Sequence, residues 1–206
     1  MPEIKLISSN TGYQIHLHLA LDEAVSDYEK VHEKVTQRRS ATDDTATLRL
    51  MVLDNALEQK RVTVLLLAAA CVEAVANLYL GFKATPRQFK LLERATFLEK
   101  WTVVPSLFLS GYEFPKGGEL YQDLKRLHTR RNALVHFKEE VHRDGGVFHP
   151  GSSPQTAADE HLFVSRCRTL PDKLVKHLAS FDKSDALGPI YAILTLAATY
   201  SRCTTE

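Results

Sequence analysis

The chain reads as an all-α protein, a bundle of about five to seven helices with a short β-hairpin at its N-terminus. Three observations carry that reading. Apolar residues recur at three- and four-residue steps from Leu21 onward, the stretch from Leu48 to Leu80 contains neither Gly nor Pro, and turn-forming residues cluster in a few short segments between such stretches.

The segments IKLIS and YQIHLHL alternate residue types around the turn-rich SNTG, so residues 1–20 are expected to form the hairpin. The first helix follows, with Ala24, Val25, Tyr28, Val31 and Val35 on its buried stripe, and it ends in the polar stretch Gln37 to Ser40. Thr42, Asp43 and Asp44 supply capping groups for a second helix that continues to Gly81. Unbroken, that helix would reach roughly 55 Å, more than a compact domain of this size readily holds, so a bend is expected at Glu58 to Arg61. Thr85-Pro86 opens a third helix through Leu98. Pro105, Gly111, Pro115, Gly117 and Gly118 mark a loop-rich passage. A fourth helical region runs from Glu119 to about Glu140, residues 140–162 read as a turn-rich loop around GGVFHPGSSP, and the last helices are expected at Pro171 to Phe181 and Leu187 to about Ser201. The 206 residues are read as one domain, with residues 43–139 as its central part and 171–203 as its C-terminal helices.

Composition narrows the class of partner. An apolar fraction of 44% and a charged fraction of 25% are those of an ordinary globular protein. With 26 basic and 25 acidic residues there is no global attraction to a polyanion, so any such site must arise from local clustering. Cys71, Cys167 and Cys203 have no CxxC spacing, which points to a reducing, cytoplasmic setting rather than a disulfide framework or a zinc site. No secretory signal is expected in MPEIKLISSN, and Val62 to Val72 reads as a core helix rather than a membrane span.

Local clustering does occur, in LYQDLKRLHTRRNALVHFKEE, residues 120–140. Lys125, Arg126, His128, Arg130, Arg131, His136 and Lys138 crowd this segment, with Asp123 the acid just upstream. Leu120, Leu124, Leu127, Leu134 and Phe137 give it an apolar side, leaving a basic stripe suited to phosphate or an acidic partner. His128, Asn132 and His136 follow one another at four-residue steps and so share a stripe. Arg131, five residues before His136, lies about 140° around the axis from it. One helix therefore does not bring this Arg and His together; two copies facing each other across a two-fold axis would.

Arg131 to His136, RNALVH, matches the RNxxxH form of the RxxxxH signature, and the chain resembles the HEPN superfamily of helical domains in that motif. The flanks LKRLHTR and FKEE and the earlier CVEAVANLYL, resembling the helix that packs beside the motif helix, extend the likeness over Leu48 to Glu140. The resemblance implies a homodimeric, metal-independent endoribonuclease without a cofactor, of the kind found among toxins and phage-defence effectors, with RNA as substrate and an antitoxin as a further protein partner. Carried onto this sequence, His136 would be general acid/base and Arg131 would stabilise the transition-state phosphorane. Asn132 would orient the imidazole or bond a phosphate oxygen, and nearby cations would lower the His136 pKa. The resemblance equally admits a non-catalytic HEPN module that binds nucleotide, RNA or a protein. A plain helical assembly protein is the third class.

Each of these residues also has a purely structural reading. Arg131 can pair with Glu139, Glu140 or Glu73, Asn132 can bond a helix carbonyl, and His136 can sit in the core against a backbone carbonyl. His128, Arg130 and Lys138 read as a solvated basic face with a lesser role in substrate contact. Glu73 and Asn77 share a stripe of an otherwise apolar helix, so a cation from the motif helix is expected to neutralise Glu73 and make the pair a support for the site. Trp101, Phe108 and Tyr112 are expected in the core rather than stacked on a base. His16, His18, His142, His149 and His161 have no metal-ligand spacing beyond a lone HxH.

Overall fold

A computed structural model describes the backbone over residues 3–39, 46–135 and 154–203, and in these residues the chain is all-α with eight α-helices and no strand. Helices α1 (Glu3–Arg39) and α2 (Ala46–Lys83) form a long antiparallel pair. Its register is fixed by contacts that step evenly along both helices: Gln14 Nε2 donates to the Ala74 carbonyl at 2.8 Å, Cys71 Sγ meets the Leu17 carbonyl at 3.5 Å, Lys60 pairs with Asp27 at 2.6 Å, and Arg39 pairs with Asp54 at 2.9 Å.

This pair corrects two expectations. Residues 3–20 are helical and belong to α1, not to a hairpin. The alternation in Ile15-His16-Leu17-His18-Leu19 coincides with a helical stripe, Gln14, Leu17, Leu21, Ala24 and Tyr28, which packs on α2 and decides the conformation. Helix α2 also runs unbroken for 38 residues. With a partner of 37 residues alongside it, its length is shared by a helix hairpin rather than confined to a compact ball, and Glu58 and Arg61 make an ion pair where the bend was expected. The span Arg49–Lys83 is long and apolar enough to cross a membrane by length and composition, but half of its most apolar stretch is buried by the chain itself.

The remaining helices pack around α2. Helices α3 (Pro86–Leu92) and α4 (Phe97–Thr102) replace the single third helix expected, each opened by a capping box, Thr85 with Gln88 and Thr96 with Glu99. A 3₁₀ turn, Val104–Leu107, leads into the loop passage, where Gly111 at φ 72° makes a turn disfavoured for a side chain and Tyr112 returns to the core. Trp101 and Tyr112 are core residues: the indole N–H donates to the Val72 carbonyl at 3.0 Å and the Tyr112 hydroxyl to the Trp101 carbonyl. Phe108 is half-buried.

Helix α5 (Glu119–Val135) buries Leu124 and Leu127 and packs against α2, α4 and α7. Its expected continuation to Glu140 and the Gly145–Pro154 loop lie largely outside the described residues. Residues 154–162, read as loop, instead begin helix α6 (Pro154–Arg166), with Pro154 at its first position, where proline's missing N–H costs nothing. Helices α7 (Leu170–Phe181) and α8 (Gly188–Cys203) match the last two expected. One core cluster joins α1, α2, α4, α5, α6, α7 and α8, including Leu21, Val72, Trp101, Leu127, Phe163, Leu174 and Ile190. Cys71 and Cys167 are buried in it as free thiols, each pushed up to about 12 by burial.

Candidate functional site

Helix α5 presents two polar flanks on either side of the leucine stripe that holds it to the core. One carries His128 and Asn132, with Arg131 beside them in line with Leu124 and Leu127; the other carries Asp123, Arg126 and Arg130.

On the first flank the side chains form a short chain of hydrogen bonds. Arg131 Nη1 donates to Asn132 Oδ1 at 3.1 Å, and Asn132 Nδ2 lies 3.2 Å from His128 Nε2. Asn132 thus satisfies its amide on side chains, not on a helix carbonyl. The Phe97 ring of α4 meets the His128 ring edge-on, with centroids 5.2 Å apart, and fixes its plane. Burial, together with the positive charge of Arg131 and against the pull of Glu99, lowers the His128 pKa below its ordinary value. Neutral His128 can accept the Asn132 N–H at Nε2. Arg131 makes no ion pair among the described residues; its pairing with Glu73 does not occur. His136, Lys138, Glu139 and Glu140 lie outside the described residues.

Glu73 is neutralised from a different element than expected. Its partner is Lys100 of α4, at 3.1 Å, whose side chain is 0% exposed, and not a cation of α5. Asn77, one turn further along α2, has its Oδ1 buried without a hydrogen-bond partner. Glu73 therefore serves to hold α4 on α2, and through Phe97 it bears on His128.

The second flank is where the structure departs most from a solvated basic face. Glu160 of α6 accepts from three guanidiniums: Arg61 of α2 on Oε1 at 2.9 Å, and Arg126 and Arg130 of α5 together on Oε2, Arg130 at 3.0 Å. Burial alone would raise the Glu160 pKa, but the hydrogen bond from Arg126 and the charges of Arg130, Arg126 and Arg61 outweigh it and hold the carboxyl below its usual range. Arg126 also lies over the Phe163 ring, 4.4 Å from its centroid. One turn back, Arg166 grips Asp123 with two bonds at 2.9 and 2.8 Å. The four-residue step between Arg126 and Arg130 is visible in the sequence, but Glu160 and Lys100 are contributed from distant segments and no spacing announces them.

His161, next to Glu160, stacks face to face on His32 of α1, with ring centroids 3.6 Å apart and planes 7° from parallel. Among the described residues no group of three or more His, Cys, Asp or Glu is placed to hold a metal ion. His16 is exposed on α1, and His142 and His149 lie outside the described residues. Comparison of the chain with protein-family models, with curated proteins and with solved structures found no match.

Proposed function

We propose that this protein is a HEPN-like, metal-independent endoribonuclease of the cytoplasm, acting as a homodimer whose two motif helices complete one site. The observation that supports this most is the different treatment of neighbouring arginines. Arg126 and Arg130 are held by a carboxylate, whereas Arg131 keeps its charge uncompensated by any acid among the described residues and hydrogen-bonds only Asn132. A guanidinium so placed, half-buried at the C-terminal end of α5, is suited to an anion arriving from outside.

In this reading Arg131 stabilises the charge that develops on the phosphorane, and His136, four residues beyond Asn132 in the sequence, moves the proton at the ribose 2′-hydroxyl or the leaving 5′-oxygen. Asn132, held by His128, orients that imidazole or a phosphate oxygen. The products are a 2′,3′-cyclic phosphate and a 5′-hydroxyl. Toxin or phage-defence use, with an antitoxin as partner, belongs to the same reading. A non-catalytic module that binds RNA, nucleotide or protein is favoured by one observation, the neutralisation of Arg126, Arg130 and Glu160 within the fold, which leaves less free positive charge than the sequence suggests.

Purified protein incubated with RNA in EDTA separates the two. The nuclease reading expects cleavage that is lost in both His136→Ala and Arg131→Ala. Binding without cleavage supports the module, and cleavage that is unchanged in both variants contradicts the assignment of the site.

A further inference from the structure

Beside the second flank of α5 lies an open cleft of about 810 Å³, whose lining includes Lys125, Arg126, Thr129 and Arg130, and Arg166 with the acids Asp123 and Glu119. Its basic side chains are in two states. Arg166 is matched by Asp123 and Glu119 and belongs to the wall. Arg126 and Arg130 share one oxygen of one carboxylate that also serves Arg61, so three guanidiniums meet Glu160 alone, with Glu58 taking part of Arg61. Each guanidinium carries five donors, and Arg126 and Arg130 each give one to Glu160. The carboxylate therefore tethers both groups, and the Phe163 ring fixes the plane of Arg126, while further donors remain on each. A held guanidinium loses less freedom when it meets an oxyanion than one waving in solvent. Lys125 and Thr129 are exposed on the same side of the helix, and Lys125 makes no ion pair among the described residues.

We infer that this cleft is a phosphate-binding track for single-stranded RNA that leads along α5 toward the motif residues. The inference rests on the RNA reading above for the identity of the ligand, and on the cleft for its place. Arg126 and Arg130 grip backbone phosphates with their remaining N–H donors, Lys125 adds a point charge, and the Thr129 hydroxyl donates to a phosphate oxygen. Lys125 lies seven residues before Asn132, in line with it on the helix, so a strand held in the cleft runs along the solvent side of α5 to reach the motif. Glu160 is the residue that aims the cleft, and it also limits its strength, since it withdraws part of the positive charge that RNA would meet.

The test is binding, kept apart from cleavage. Fluorescein-labelled single-stranded RNA is titrated in EDTA with the His136→Ala chain, and affinity is followed by anisotropy over a range of salt. Adding Lys125→Glu and Thr129→Glu, both surface changes, is expected to weaken binding at least about tenfold and to flatten the plot of log affinity against log salt by roughly 0.7 for each phosphate that the chain ceases to neutralise. Lys90→Glu, on the exposed face of α3 and equal in charge to Lys125→Glu alone, is expected to leave both unchanged. Equal affinity with and without the cleft changes, an equal loss in Lys90→Glu, or no RNA binding by the parent would each overturn the cleft. Failure of the nuclease reading looks different: the unmodified chain then leaves RNA intact, while the cleft changes still weaken its binding.

Discussion

The two flanks of α5 are built from the same kinds of residue and are held in different ways. On one, Arg126, Arg130 and Asp123 are tied to Glu160 and Arg166 of α6, so charge joins two helices. On the other, Arg131, Asn132 and His128 are hydrogen-bonded in a chain with the Phe97 ring against His128, and no acid among the described residues takes up the guanidinium charge. Charge that is matched within the fold mainly supports structure; charge left over can act on something else. The sequence shows seven basic or imidazole groups in a row, and only their partners separate the two cases.

The largest effect that would sharpen this contrast is on stability. Glu160→Ala removes the common partner of three arginines, all mostly buried, and is expected to cost about 3–5 kcal/mol in a urea or thermal melt. Arg131→Ala removes a half-buried side chain that holds no other element, and is expected to cost under about 1 kcal/mol. Equal losses in the two variants would erase the distinction between the flanks.

A smaller effect concerns acid. Burial lowers the pKa of His18, His32, His128, His161 and His177 below the ordinary histidine value. For His32 the neighbouring His161 and Arg39 add to burial, and for His161 the charge of Glu29 opposes it. In each case the unfolded chain takes up the proton first as pH falls, so stability is intact above the unfolded value of about 6.5 and declines as pH drops toward the folded value. Melting temperature is therefore expected to fall between about pH 7 and pH 5. The decline should be shallower in a His32→Phe, His161→Phe chain, whose rings stack without titrating, than in His128→Phe, which leaves the α1–α6 stack in place. An identical decline in the two would show that the stack does not contribute.

How much of this is legible in the sequence follows from the range of the interactions. Helical spacing and terminal signals are local, so α7, α8 and the start of α5 fall close to where periodicity and caps place them. The second capping box, Thr96 to Glu99, is also local, yet the single third helix expected through Leu98 runs across it, and the structure breaks the helix there. The start of α1 reads wrongly because a two-residue alternation and a four-residue stripe coincide between Gln14 and Leu21, and only the α2 surface distinguishes them. The bend expected in α2 is absent for a similar reason: compactness demands it of a ball, and this fold is organised on a long helix hairpin. For the site, Arg131, Asn132 and His128 can be placed on neighbouring stripes by counting residues. That Glu73 meets Lys100, and Arg130 meets Glu160, cannot, because each partner arrives through tertiary packing from a distant segment.

The proposed function turns on Arg131 and His136, five residues apart in the sequence, acting as a pair only between two copies of the chain. The most direct measurement mixes Arg131→Ala chains with His136→Ala chains after a cycle of dissociation, and follows RNA cleavage in EDTA while native mass spectrometry counts mixed dimers. Each variant alone is expected to be inactive, and the mixture to recover activity in proportion to the mixed dimers. Mixed dimers that form and stay inactive, or a wild-type chain that cleaves RNA as a monomer, would contradict the account.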